Sequence, residues 1–169
     1  ALRQDPDVIM VGEMNDLDTI SVALTAAETG HLVLASTHTL NAPLTINRII
    51  EAYPSSQQEQ FRVQLANNLV GIVAQRLLPR KDGQGRVAAV EFLAVTPAVR
   101  NLIREGKIHQ IHMVMQTGAK SGMRTMDNHL QQLFLQGLIK AEDALENAAD
   151  RTSMSRFISQ SRMVPGEKT

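Results

Sequence analysis

Val8-Ile9-Met10-Val11 is an unbroken apolar run between the turn-prone Asp5-Pro6-Asp7 and Gly12. A short run of this kind predicts a strand buried on both faces, as in a parallel sheet. Leu17, Ile20, Leu24 and Ala27 then recur at helical spacing, with Asp16 placed to cap the start and Gly30 to end the helix. A second apolar run, Leu32-Val33-Leu34-Ala35, follows at once. Strand, helix and strand within about 30 residues is the length of a right-handed βαβ unit.

Downstream, Ala42-Pro43 opens a helix with Ile46, Ile49 and Ile50 on one face and Pro54 beyond its end. Ser56 and Glu59 have capping-box spacing ahead of Phe61, Leu65, Leu69 and Ile72. Asp82-Gly83-Gln84-Gly85 separates Ile72–Leu78 from Arg86–Val95, which predicts an antiparallel hairpin. From Thr96-Pro97 onward the pattern is helical. Val99, Leu102 and Ile103 form a stripe ended by Gly106, with Thr96 placed to cap it; Ile108, Ile111 and Met115 form a second; Met126, Leu130, Leu133 and Phe134 a third; Ala141–Ala149 a fourth. A compositional step near Thr96 divides the chain into an α/β part, residues 1–95, and a helical part, residues 96–161. Residues 162–169 are aperiodic and are expected to form a loose tail. The opening Ala1-Leu2-Arg3-Gln4 reads as the end of a helix already in progress, so the chain is expected to be a piece of a longer protein.

Composition narrows the function classes. At 169 residues, 43% hydrophobic, the chain is long enough to bury a core without disulfides or a structural metal, and it has no Cys. That removes thiol nucleophiles and Cys-based zinc sites. Seventeen Lys+Arg balance seventeen Asp+Glu, and aromatics make up 3%, so neither the basic footprint nor the stacking platforms of a nucleic-acid binder are present. No apolar run approaches the ~20 residues of a membrane span.

Candidate chemistry follows from the βαβ reading. Both strands of a parallel pair point the same way, so Gly12-Glu13 and Ser36-Thr37-His38-Thr39 leave the sheet at one edge, the edge where α/β proteins bind ligands. A carboxylate, hydroxyls and an imidazole gathered there could handle a water molecule, a metal ion and a phosphate. The plainer alternative is a solvated loop carboxylate and a hydrogen-bonded turn histidine, and geometry alone leaves both open. His31 begins the second strand, at the opposite edge, which favours a structural role. His109 and His112 share the i, i+3 spacing of a metal pair but lack a third ligand, and His129 reads as a helix-surface residue.

Three ordered stretches carry a resemblance: Asp5-Pro-Asp-Val-Ile-Met-Val-Gly-Glu13-Met, Ala26-Ala-Glu-Thr-Gly-His-Leu-Val33 and Thr37-His-Thr39. From Ala1 to about Asp150 the chain resembles the C-terminal ATPase domain of the secretion and type IV pilus motor family. Pro97-Ala-Val-Arg-Asn-Leu-Ile-Arg-Glu105, Gln116-Thr-Gly118 and Gly122-Met-Arg-Thr-Met-Asp127 are similar to the twitching-motility retraction branch, the PilT-like proteins. Secretion and extension relatives usually carry a tetracysteine zinc insertion, which this sequence lacks.

The resemblance implies the C-terminal part of a RecA-like P-loop NTPase sheet followed by a helical subdomain, in a motor that couples ATP hydrolysis to pilus retraction. The family's atypical Walker B motif falls on Val8–Glu13. By resemblance Glu13, after Gly12, is the catalytic carboxylate that orients the attacking water and supports the Mg²⁺ shell. The family's His box falls on Thr29–Thr39: His38 reaches the γ-phosphate region, while His31, Thr37 and Thr39 support the site. Ala98, Val99, Arg100, Asn101, Leu102, Ile103, Arg104 and Glu105 form the retraction box. ATP and Mg²⁺ are the implied cofactors. A homo-hexamer, an inner-membrane pilus platform protein and a paralogous motor ATPase are the implied partners, and the cytoplasm beside the inner membrane is the implied location. A non-catalytic accessory paralogue, PilU-like, is the alternative. The family's Gly-Glu-Met-Arg-Asp reads Gly12-Glu-Met-Asn15-Asp16 here, its Ile-Asp-Arg-Ile reads Ile46-Asn47-Arg48-Ile49, and Leu40-Asn41 follows Thr39. No Gly-x-x-x-x-Gly-Lys-[Ser/Thr] occurs in the sequence, so the segment carries half of a nucleotide site.

Overall fold

The computed structural model describes residues 6–163. The helix end read at Ala1–Gln4 and residues 164–169 of the expected tail lie outside them. Strand β1 (Val8–Val11) pairs in parallel with β2 (Leu32–Ala35), from Val8↔Leu32 to Val11↔Ala35, and helix α1 (Leu17–Glu28) connects them. Asp16 caps α1 as its position predicts, accepting the Thr19 N–H at 2.8 Å. The strands are not buried on both faces. Val8, Met10, Leu32 and Leu34 are 50–81% exposed, because this sheet has two strands and no element among the described residues covers that face.

Helix α2 (Ala42–Glu51) starts at Asn41, whose side chain accepts the Leu44 N–H at 2.9 Å, and buries Ile46, Ile49 and Ile50. Helix α3 (Gln58–Asn68) lacks the expected capping box: Gln57, not Ser56, holds the N-cap position and makes no side-chain cap bond. Ser56 sits instead in a turn closed by the Gln57 N–H on the Pro54 carbonyl. Ile72, which shares the spacing of Phe61 and Leu65, lies beyond the helix in strand β3 (Gly71–Pro79). This strand pairs antiparallel with β4 (Arg86–Ala94), confirming the hairpin. Gly83 and Gly85 hold positive φ in the connecting loop, where Asp82 accepts the Gln84 N–H.

The outer edge of β4 is closed at Val90 and Phe92. Phe92 and Arg124 exchange two backbone bonds at 2.8 and 3.0 Å, the Arg124 guanidinium donates to the Val90 carbonyl, and the Val90 N–H donates to His129 Nδ1 at 2.7 Å. At Val90 and Phe92 the edge therefore offers no free ladder to another chain. His129 is therefore a partly buried acceptor rather than a surface residue. Burial, with the Arg124 charge beside it, lowers its pKa.

Five further helices follow: α4 (Pro97–Arg104), α5 (Ile111–Thr117), α6 (Met126–Leu135), α7 (Ala141–Asn147) and α8 (Arg151–Met163). Short 3₁₀ turns at Ile108–Gln110 and Gly118–Ser121 flank α5. Thr96 stands at the N-cap of α4 without a side-chain cap bond. Val99 and Ile103 are fully buried there, whereas Leu102 is only half-buried. Helix α8 takes in Arg162 and Met163, the first residues of the expected tail. Asp150 begins it by accepting the Ser153 N–H, and Met154 and Ile158, four apart, bury its inner face.

The buried residues form two clusters. The first joins Ile20, Ile46, Phe61 and Leu65 to Val99, Ile103, Ile111 and Met115. The second joins Met126, Leu130, Leu133, Ala144 and Met154. The β3–β4 hairpin enters both, with Ile72 and Leu93 at one end and Leu78 and Ala89 at the other.

Two stability outcomes are expected. Ile103→Ala should cost about 2–5 kcal/mol because the cavity forms at a fully enclosed site; Leu102→Ala should cost distinctly less, as urea denaturation will show. The lowered pKa of His129 means that the folded chain binds fewer protons than the unfolded one once pH falls below the ordinary value of 6.5. Stability present above that value is therefore lost on acidification. The urea midpoint should fall from about pH 7.5 to about pH 5.5, and His129→Gln, which keeps an acceptor for Val90 without a titrating ring, should shallow the fall.

Candidate active site

The in-register pairing of β1 and β2 decides what meets at their carboxyl edge. Beyond Val11 and Ala35 the ladder continues through the Met14 N–H, which donates to the Ser36 carbonyl at 2.9 Å. The Ser36 hydroxyl donates to the Gly12 carbonyl. These bonds carry the two loops side by side, and Glu13 Oε1 meets His38 Nε2. The Glu13 side chain is 42% exposed and that of His38 81%, so the pair is open to solvent and to a ligand. No heavy atom lies within 4 Å of the place a Cβ on Gly12 would occupy, which leaves the backbone side of the edge open as well.

The neighbouring residues are held more tightly. The Thr39 and Thr45 hydroxyls lie 2.6 Å apart, and Thr45, itself buried, donates to the Asn41 carbonyl. Thr37 lines a cleft of about 260 Å³ with Met14, Asn15, Arg48 and Glu51. Asn15 thus lines the same cleft as Arg48 although it brings no charge of its own. His31 lies at the other end of β2, with Nδ1 3.0 Å from the Ala26 carbonyl and 3.1 Å from the Thr29 hydroxyl. It closes the C-terminal end of α1 and does not reach the Glu13–His38 pair.

A carboxylate next to an imidazole can orient a water molecule and receive its proton. Among the described residues no three His, Asp or Glu side chains gather as a metal cage, and His109 and His112 turn to Gln110 and Gln116 instead. One carboxylate with hydroxyls nearby fits Mg²⁺, which keeps waters and takes one or two protein carboxylates together with phosphate oxygens.

The Ala98–Glu105 box is a separate feature. Its inner face is Val99 and Ile103. Arg100 donates to the carbonyls of Ala66 and Asn67 at 2.6 and 2.7 Å, so its guanidinium completes the last turn of α3, where free carbonyls favour a cation. Arg104 donates to the Asn67 side chain at 2.6 Å. Ala98, Asn101, Arg104 and Glu105 remain exposed, and Glu105 pairs with Lys107.

Sequence reasoning missed Glu91. It is 3% exposed on β4, in the inward phase shared with Ala89 and Leu93. Its carboxylate accepts the Ala42 N–H at 2.8 Å and the Met126 N–H at 3.2 Å, one from the start of α2 and one from the start of α6. The signal was available: a lone acid in the buried phase of an alternating strand needs donors.

Comparison with known proteins agrees with this architecture. Residues 1–147 match the family described as Type II/IV secretion system protein. The chain is 54% identical over 155 residues to a twitching motility protein of Neisseria gonorrhoeae, covering 92% of this chain and 41% of that protein. It is 49% identical over 148 residues to the type IV pilus retraction ATPase PilT of Pseudomonas aeruginosa, covering 88% and 43%. The crystal structure of the pilus retraction motor PilT with bound ADP superposes with a TM-score of 0.83 at 50% identity, over 92% of this chain and 43% of that one. The chain thus spans less than half the length of these relatives. The α/β class and the family expected from the motifs are both found, and the chain belongs to the type II/IV secretion system protein family.

Proposed function

We propose that the chain is the Walker B half of a pilus-retraction motor ATPase, a subunit of a homo-hexamer that couples ATP hydrolysis to pilus disassembly and twitching. The observation that carries this is the meeting of Glu13 with His38 at the carboxyl edge of β1 and β2, in a chain about half identical to retraction proteins. Residues 1–95 supply the ATPase edge and residues 96–161 the helical subdomain. The accessory alternative has a relative as well, the type IV pilus ATPase PilU of Pseudomonas aeruginosa at 46% identity; the higher identities to retraction proteins favour the motor.

Bound Mg-ATP supplies the electrophilic γ-phosphorus and the charge that offsets its oxygens. Glu13 orients a water molecule toward that position and takes its proton at a carboxylate oxygen. His38, bonded through Nε2, holds Glu13 in place beside the developing phosphate charge. Thr37 and Thr39 add hydroxyls, Gly12 leaves room for the approach, and His31 keeps the strand's far end in place. The motor works in the cytoplasm against a platform protein of the inner membrane. No helix among the described residues is long and apolar enough to cross that membrane itself.

In the complete motor, Glu13→Gln should lower ATP turnover by about 10²-fold or more while nucleotide binding persists. A change below about threefold would remove Glu13 from the catalytic role. The box has two separable faces. Arg100→Ala should destabilise the fold by about 1.5–3 kcal/mol, because its charged hydrogen bonds complete α3, and urea denaturation measures this. Charge reversal at the exposed Arg104 and Glu105 should cost less than about 1 kcal/mol yet reduce twitching in cells at near-normal ATP turnover. Normal twitching in that double variant would leave the box a packing element alone.

A further inference from the structure

We propose that Glu91 is a positioning residue that ties the His38 segment to the C-terminal helices, so that what happens at the nucleotide edge is felt at the start of α6. The inference rests on the functional reading above and adds to it a residue and a route.

The geometry is a short chain of bonds. His38 lies four residues before Ala42, and the chain between them is pinned by the Thr39–Thr45 hydroxyl bond and by Thr45 on the Asn41 carbonyl. Ala42, fully buried, then donates its N–H to Glu91 Oε1, while Oε2 of the same carboxylate accepts from Met126. An ionised carboxylate offers acceptors only. Two helix N-termini offer donors with no partner inside their helices, each carrying partial positive charge. One group therefore satisfies two helix starts, and neither can shift along its axis without losing a bond that water cannot replace at a buried position. The neighbouring β4 residues reinforce the hold on α6, since Phe92 bonds the Arg124 backbone and Val90 bonds His129. The α2 side has no such second clasp from β4, so Glu91 is the sole direct bond from that strand to the segment that ends the His box, among the described residues.

The test uses amide hydrogen exchange and steady-state kinetics on the complete protein. In Glu91→Ala, which leaves neither N–H an acceptor, exchange without nucleotide should quicken about tenfold or more at Ala42, Leu44 and Thr45 and at 126–129 together, with the β3–β4 ladder unchanged. Loosening of one helix start alone, or of neither, overturns the coupling. Should Glu91→Ala fail to fold, Glu91→Gln serves: its amide keeps one acceptor oxygen and sets a donor against the other N–H, so one first turn stays protected while the other quickens, and protection at both overturns the proposal. At a temperature where the variant is folded, kcat for ATP should fall about tenfold with KM within about twofold. Loss of stability alone would not produce this split. An unchanged kcat in a folded variant with both helix starts loosened overturns the positioning role. Failure of Glu13→Gln to affect turnover would condemn the catalytic reading instead, leaving the exchange result to decide on Glu91 by itself.

Discussion

A buried carboxylate between two helix starts holds this structure in one register. Glu91 stands on β4 where its neighbours in phase, Ala89 and Leu93, are fully enclosed, and a charge there is tolerated only if its oxygens are occupied. The occupants are backbone N–H groups of α2 and α6. Because α2 packs in the first cluster and α6 in the second, the bond pair joins the two cores through the strand that enters both.

The edge contacts extend the same logic. Val90 and Phe92 flank Glu91, and their outward backbone groups are satisfied by Arg124 and His129. Three successive β4 residues thus grip the entry to α6 by backbone pairing, an imidazole and a carboxylate. The hydrophobic clusters supply most of the stabilisation, but apolar contacts are non-directional. The polar bonds specify which sliding position the helices adopt.

The carboxyl edge of β1 and β2 is built on the opposite principle. Its backbone is fixed by the ladder that runs on to Met14 and Ser36, while Glu13 and His38 remain open. A fixed backbone carrying open polar side chains is the arrangement on which the proposed phosphoryl-transfer role rests, since positioning and electrostatics do most of that catalysis. The face of β1 and β2 is open as well, with Met10 and Leu34 outward.

Local signals in the sequence determined the elements. Val8–Val11 and Leu32–Ala35 are apolar runs of strand length, Asp16 and Asn41 cap where short polar side chains should, and the glycine-rich turn makes a hairpin. They also placed Glu13 and His38 at one edge, since parallel pairing follows from a strand–helix–strand order. Tertiary structure decided whatever depends on a distant partner. The capping box at Ser56 yielded to a turn at Pro54, Leu102 stayed half-buried while Val99 and Ile103 of the same stripe were enclosed, and Arg100 was drawn to the end of α3. His129 became an acceptor for a strand edge, and Glu91 found donors 49 and 35 residues away. Periodicity and capping are read within a few residues of chain, whereas the partner of a buried polar group is set by which elements the packing brings together.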